Sequence, residues 1–435
     1  MSERRRSEHL HVAVPLASTD RAKHGVILAG VRMGLLALLL GALGLGPTAA
    51  ERAALLQLRG DTAAALAAAD AFLVKDPGNP GALFVAACAA IESGELDRAS
   101  TYTTRLEQRG RDPHAAVLKK VIERRRGQKD EPLREALVSA WKAAGRPDLG
   151  AKPLLRPSES WGELLPKFDR EARARLTAGE RFIFDNGIPP SSSAFVGAAV
   201  RAAAEAETNP VVVNLEVLGA LTPFAEIAGV DPRAASDAAA HAGRVVASAD
   251  PENGYMALAG LLAAAPGNVA FSADDLSVIE GALQKPRFEY PRDQSLAQLR
   301  ELAARLDSQH GDLRAWSAAL GGSVPLFRVW QRAEAVKGAE LRARAGHAIQ
   351  QVGARFRGAG TTLERTLSFA LEVKGAELRG DAVAAEAAKA DRTRWSGWQQ
   401  ATEAARKRMG NWPFAAAWRE WTPSGEIAYM RRLVD

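Results

Sequence analysis

From Ala194 to about Leu320 the apolar positions recur at helical spacing, in stretches of about 10–18 residues. Stops are expected at Asn209-Pro210, Asp231-Pro232, Asp250-Pro251 and Pro266-Gly267. Ser272-Ala273-Asp274-Asp275 reads as an N-cap followed by acidic residues in the first turn, where the helix dipole favours them. Val211-Val212-Val213 is the one strand candidate; three residues are too few, and the stretch is read as helical. Residues 148–193 are broken by Pro153, Pro157, Pro166, Pro189 and Pro190 and end on Ser191-Ser192-Ser193, the punctuation of a connector.

Composition sharpens this pattern. Alanine dominates the apolar residues, as in Ala63 to Ala69 and Ala198 to Ala206. It is the best helix former and a poor strand residue, so the fold class is all-α. Hydrophobic residues make up 47% of the chain and charged residues 25%, enough for a sizeable core. The excess of 57 basic over 51 acidic residues is a mild bias for 435 residues, short of a nucleic-acid footprint. One cysteine, Cys88, excludes an intramolecular disulfide framework.

The first 50 residues read as an address. A polar, basic tail (Arg4-Arg5-Arg6, Arg21, Lys23) leads into the apolar stretch 25–46. Taken whole, that stretch is long enough to span a bilayer, with Arg32 as a blemish costing about 2.5–3.5 kcal/mol near a helix centre. Taken from Arg32, it has the layout of a secretory signal, with Thr48 and Ala50 suiting cleavage before Glu51. On both of these readings the body is expected beyond the inner membrane, in the bacterial cell envelope, periplasmic or anchored through residues 25–46; the third reading of the stretch is a buried core helix.

Residues 51–147 carry a repeat. Gly60-Asp61 and Gly94-Glu95 lie 34 residues apart, as do Ala65 and Ala99, and Ala53 and Ala87. Asp76-Pro77 and Asp112-Pro113 close the two units; a third, weaker unit runs from His114 to Pro147, with Gly127 one residue early and Pro132 near the start of its second helix. The pattern resembles the tetratricopeptide repeat (TPR) family, although the first-helix Trp is missing from every unit. The resemblance implies a right-handed α-solenoid of helical hairpins with a concave surface for peptides or proteins, continuing here into further hairpins.

Residues 321–435 hold a literal repeat: Val336-Lys-Gly-Ala-Glu-Leu-Arg342 recurs as Val373-Lys-Gly-Ala-Glu-Leu-Arg379. The second copy runs into Gly380-Asp381 and Ala384-Ala385, matching Gly60-Asp61 and Ala64-Ala65, so the hairpin design is expected to recur. The Arg-Gly-Asp triplet at both places is a helix-to-helix turn on this reading.

Candidate binding residues fall in two groups. The basic run Lys119, Lys120, Arg124, Arg125 is the best patch for an anion, or else a solvated helix face. Trp395 with Trp398, and Trp418 with Trp421, stand at i and i+3, as one helix face would place them. They read either as an aromatic cap or as a partner groove, whose basic flank (Arg392, Arg394, Arg406) suits an anionic ligand or a membrane surface. Seven scattered histidines, no phosphate-cradling loop and no nucleophile elbow leave catalysis without a signature, and no cofactor is expected. The leading expectation is a non-enzymatic scaffold or adaptor that binds a protein or peptide, with no nucleic acid. An enzyme with a site inside 194–320, or a basic nucleic-acid-binding protein, are the alternatives.

Overall fold

The computed structural model describes residues 48–110, 112–155, 171, 174–184, 193–221, 231–265, 269–306 and 327–435. The apolar stretch 25–46 and most of the connector lie outside them, as does the expected stop at Pro266-Gly267. Among the described residues every regular element is helical; an isolated parallel bridge joins Asn253 to Arg287. No helix among them is long and apolar enough to cross a membrane.

Three consecutive hairpins come first among the described residues: Ala49–Leu58 with Thr62–Lys75, Pro80–Glu92 with Leu96–Gln108, and Pro113–Gly127 with Leu133–Ala143. Thr48 and Glu51 form a capping box at the start, and Ala50 is buried in the first helix. Gly60 and Gly94 turn the first two hairpins at φ +86° and +80°, a conformation that costs an L side chain and not glycine. The alanines at 34-residue spacing, Ala53 and Ala87, Ala65 and Ala99, are all fully buried where the helices cross. Alanine lets the backbones approach, while Leu83, Phe84, Ile91, Leu106, Leu118 and Trp141 supply the bulk, at about 1.5–3 kcal/mol for each large side chain buried. Across the second helices, Asp70 accepts hydrogen bonds from the Tyr102 hydroxyl and Arg98 at 2.5 Å each. Cys88 lies among the buried residues of Pro80–Glu92, where burial pushes its thiol up and leaves it unreactive.

Some Asp-Pro pairs do the opposite of what is expected from sequence. Asp76 and Asp250 do follow helix ends. Asp112 and Asp231 instead begin helices, their carboxylates accepting from the backbone N–H of His114 and Arg233. Proline at the first helical position gives up only an N–H that has no intrahelical partner there. Val211–Leu221 is a helix throughout. Ser272 and Asp275 close a second capping box.

The two heptapeptide copies adopt different structures. Gly338 caps the N-terminus of Ala339–Phe356 at φ +87°, so the first copy straddles a loop and a helix start. The second copy lies wholly inside Thr362–Arg379. Its Gly375 meets Gly346 at the crossing of these two helices, where a Cβ on Gly346 would sit 2.7 Å from the Gly375 carbonyl oxygen. The shared turn does recur. Gly380 adopts φ +73° and Asp381 caps the next helix through Ala384 N, as Gly60 and Asp61 do through Ala64 N.

Two hydrophobic clusters hold the chain together. One joins the three N-terminal hairpins to Met409, Phe414 and Leu433. The other runs from Ile183 through the middle helices to Leu378.

Candidate functional site

After the 28-residue helix Ala382–Met409, the chain leaves helical geometry at Gly410, makes a tight turn where Phe414 N donates to the Trp412 carbonyl oxygen at 2.9 Å, and enters the short helix Ala416–Arg419. That segment lies against the first helices of the N-terminal hairpins. The Trp412 ring sits 5.1 Å from Phe84 and 6.0 Å from His114, and Phe414 stacks beside it at 6.0 Å, buried. Glu92, at the end of Pro80–Glu92, takes hold of the backbone. Its carboxylate accepts from Ala415 N at 3.0 Å, Ala416 N at 2.7 Å, Arg419 at 2.8 Å and the Gln57 amide at 2.6 Å. Burial raises the Glu92 carboxyl above its ordinary value, and Arg419 opposes the shift. Glu420 reaches the third hairpin, accepting from Leu133 N and Arg134 N at 2.8 Å each. Those N–H groups open a helix whose N-cap, Pro132, has no side-chain acceptor to offer. Pro80–Glu92 is consequently buried without a break from Gly81 to Ile91. Sequence reading missed this groove; the break at Gly410 and Pro413 between two helices was the available signal.

The remaining tryptophans separate. Trp395 and Trp398 stack at 4.6 Å and 23°, as their i, i+3 spacing implies. Trp418 and Trp421 do not share a helix, because Ala416–Arg419 ends before Trp421 and Pro423 follows; Trp421 packs partly buried against the second cluster. An open cleft of about 480 Å³ adjoins the Trp395–Trp398 pair. Phe369 continues the aromatic layer at 6.0 Å from Trp395, and the Trp395 indole N–H donates to Thr366 at 2.9 Å. Guanidinium groups of Arg357, Arg365, Arg394 and Arg431 line the same cleft.

The basic run on Pro113–Gly127 is largely neutralised. Lys119 pairs with Glu107 at 2.5 Å, Lys120 with Glu123 at 2.8 Å and Arg124 with Glu131 at 2.5 Å, while Arg125 donates to the Glu131 carbonyl at 2.6 Å. The charge is spent locally along a solvated face.

In the middle region titratable groups converge on Tyr290. Its hydroxyl donates to Glu216 at 3.1 Å, and Arg292 lies 4.5 Å over its ring while pairing with Glu364 at 3.0 Å. The adjoining cavity is about 10 Å³, room for a water at most. Burial pushes the Glu216 carboxyl from 4.5 up to about 7, against the Tyr290 hydrogen bond and the Arg292 charge. The folded chain therefore holds this proton more tightly than the unfolded chain, and stability falls as pH rises from about 4.5 to about 7. Glu216→Gln is expected to remove that loss. Urea unfolding should show it more stable than the parent at about pH 8, by up to about 3 kcal/mol, and nearly equal at about pH 4.

No group of three or more metal-ligating side chains occurs among the described residues. No protein family profile, curated protein or solved structure matches the chain.

Proposed function

We propose that the chain is a non-enzymatic scaffold or adaptor of the bacterial cell envelope, whose N-terminal hairpins form a TPR-like, right-handed array that holds peptide segments. The observation that carries this reading is the seating of residues 410–416 on the hairpins. One carboxylate, Glu92, caps the first N–H groups of the short helix Ala416–Arg419, and Trp412 packs against both Phe84 and His114 with Phe414 buried beside it. Helical arrays bind peptides by this combination of backbone capture and side-chain pockets. A partner peptide of the same chemistry, with aromatic residues two apart and free backbone N–H groups after them, competes with the chain's own segment. The envelope address rests on the apolar stretch 25–46 and its basic flank.

The test supplies the segment in trans. A labelled peptide spanning residues 408–421 is titrated into Trp412→Ala/Phe414→Ala protein that retains its helical circular dichroism. Micromolar binding, lost on adding Phe84→Ala, is expected; a folded variant that ignores the peptide defeats the reading. Intact mass of the native protein from membrane and soluble-envelope fractions tests the address, and full-length protein in the cytosol would overturn it.

A further inference from the structure

We propose that the cleft beside Trp395 and Trp398 is a binding site for a small phosphate monoester carrying a planar aromatic body. This goes beyond the peptide-holding role of the hairpins and does not depend on it.

The charges in the cleft are not equally engaged. Arg357 is held by Glu372 at 2.5 Å and Asp391 at 2.8 Å, and Arg394 also pairs with Asp391. Arg365 and Arg431 have no carboxylate partner among the described residues. Arg365 donates one hydrogen bond, to the Ala359 carbonyl at 3.1 Å, and its Nε is buried without an acceptor. Arg300 and Arg379 also carry a buried Nε without an acceptor, but Arg300 donates to two carbonyls and Arg379 pairs with Asp381. Arg365 instead faces a second cation: burial lowers its pKa, and the Arg431 charge lowers it further. Two guanidinium groups of like charge lining one open recess are the arrangement a dianion relieves, Arg431 through its fork and Arg365 through the terminal nitrogen that Ala359 does not engage.

The aromatic layer supplies the rest of the recognition. Phe369, Trp395 and Trp398 form successive layers, with the Arg365 guanidinium 5.3 Å from the Trp395 ring. Trp395 is buried and fixed by its bond to Thr366, while Trp398 stays partly exposed and offers a ring face. A preorganised floor of this kind costs little to order on binding. The volume of about 480 Å³ suits a ligand the size of a nucleoside monophosphate or an aryl phosphate. Asp391 and Asp435 at the cleft oppose a long polyanion or an anionic membrane, which need a broad unbroken positive face.

Isothermal titration calorimetry of the full chain tests the site with phenyl phosphate, AMP, inorganic phosphate and phenol. Phenyl phosphate or AMP is expected to bind at least about tenfold more tightly than inorganic phosphate, and phenol not at all. A tighter AMP assigns a nucleotide; a tighter phenyl phosphate assigns a simple aryl ester. Arg431→Ala, at an exposed position, is expected to weaken the better ester at least about tenfold, and Trp398→Ala to reduce it to the level of inorganic phosphate. Lys407→Ala, elsewhere on the same helix, should change nothing. No heat from either ester at about 5 mM, equal affinity for phosphate and both esters, or unchanged binding by Arg431→Ala would each overturn the proposal.

Discussion

Glu92→Ala is expected to release residues 410–420 from the N-terminal hairpins while leaving most helices folded. Two partly buried backbone donors, Ala415 N and Ala416 N, lose a charged acceptor at once, and Arg419 and Gln57 lose theirs. Hydrogen bonds to a charged group contribute about 1.5–3 kcal/mol each, and shared burial keeps the sum for one carboxylate nearer about 2–4 kcal/mol. Hydrogen exchange reads the result directly. The amides of Ala415 and Ala416 should exchange about 30- to 1000-fold faster than in the parent, while those of Leu96–Gln108 change little. Unchanged exchange would mean that Trp412 and Phe414 hold the segment alone. Glu92→Gln, which keeps one acceptor oxygen, should fall between the two.

The second large effect belongs to Asp275→Ala. Arg332 is 1% exposed, donates to the Val269 and Leu261 carbonyls, lies 4.3 Å over Phe271 and finds its counter-charge in Asp275 at 2.8 Å. Removing that carboxylate strands a buried cation, an effect of about 3–5 kcal/mol. The same substitution opens the capping box at Ser272, for about 1 kcal/mol more. Urea unfolding should therefore fall well below the parent for Asp275→Ala. The exposed neighbour Asp274→Ala should stay within about 0.5 kcal/mol of the parent. Equal effects from the two would remove Arg332 from the account.

Local chemistry was largely legible in the sequence. Gly60, Gly94 and the Ser272 box work through residues within four positions of themselves, and the burial of Ala53, Ala65, Ala87 and Ala99 follows from spacing alone. Asp-Pro pairs were ambiguous because the residue before proline disfavours helix while proline itself begins one well. The identical heptapeptides diverged because seven residues do not outvote their surroundings: Gly338 could take a positive φ that Gly375, inside a helix, had no use for. The groove was not legible at all. Glu92 and Ala415 stand 323 positions apart, and no periodicity links them. The cleft was half legible: Trp395 and Trp398 announced themselves by spacing, but Arg365 and Arg431 come from two other helices.

The long separation between Glu92 and its backbone partners bears on how the chain is made. The hairpins leave the ribosome first, yet their hydrophobic cluster includes Met409, Phe414 and Leu433. At ordinary synthesis rates the 323 positions between Glu92 and Ala415 take about 16–65 s to translate. Through that interval Phe84 and the face around it are bare, and a nascent chain in this condition is a substrate for chaperones. A stall before residue 410 would expose an apolar surface that the finished protein keeps covered.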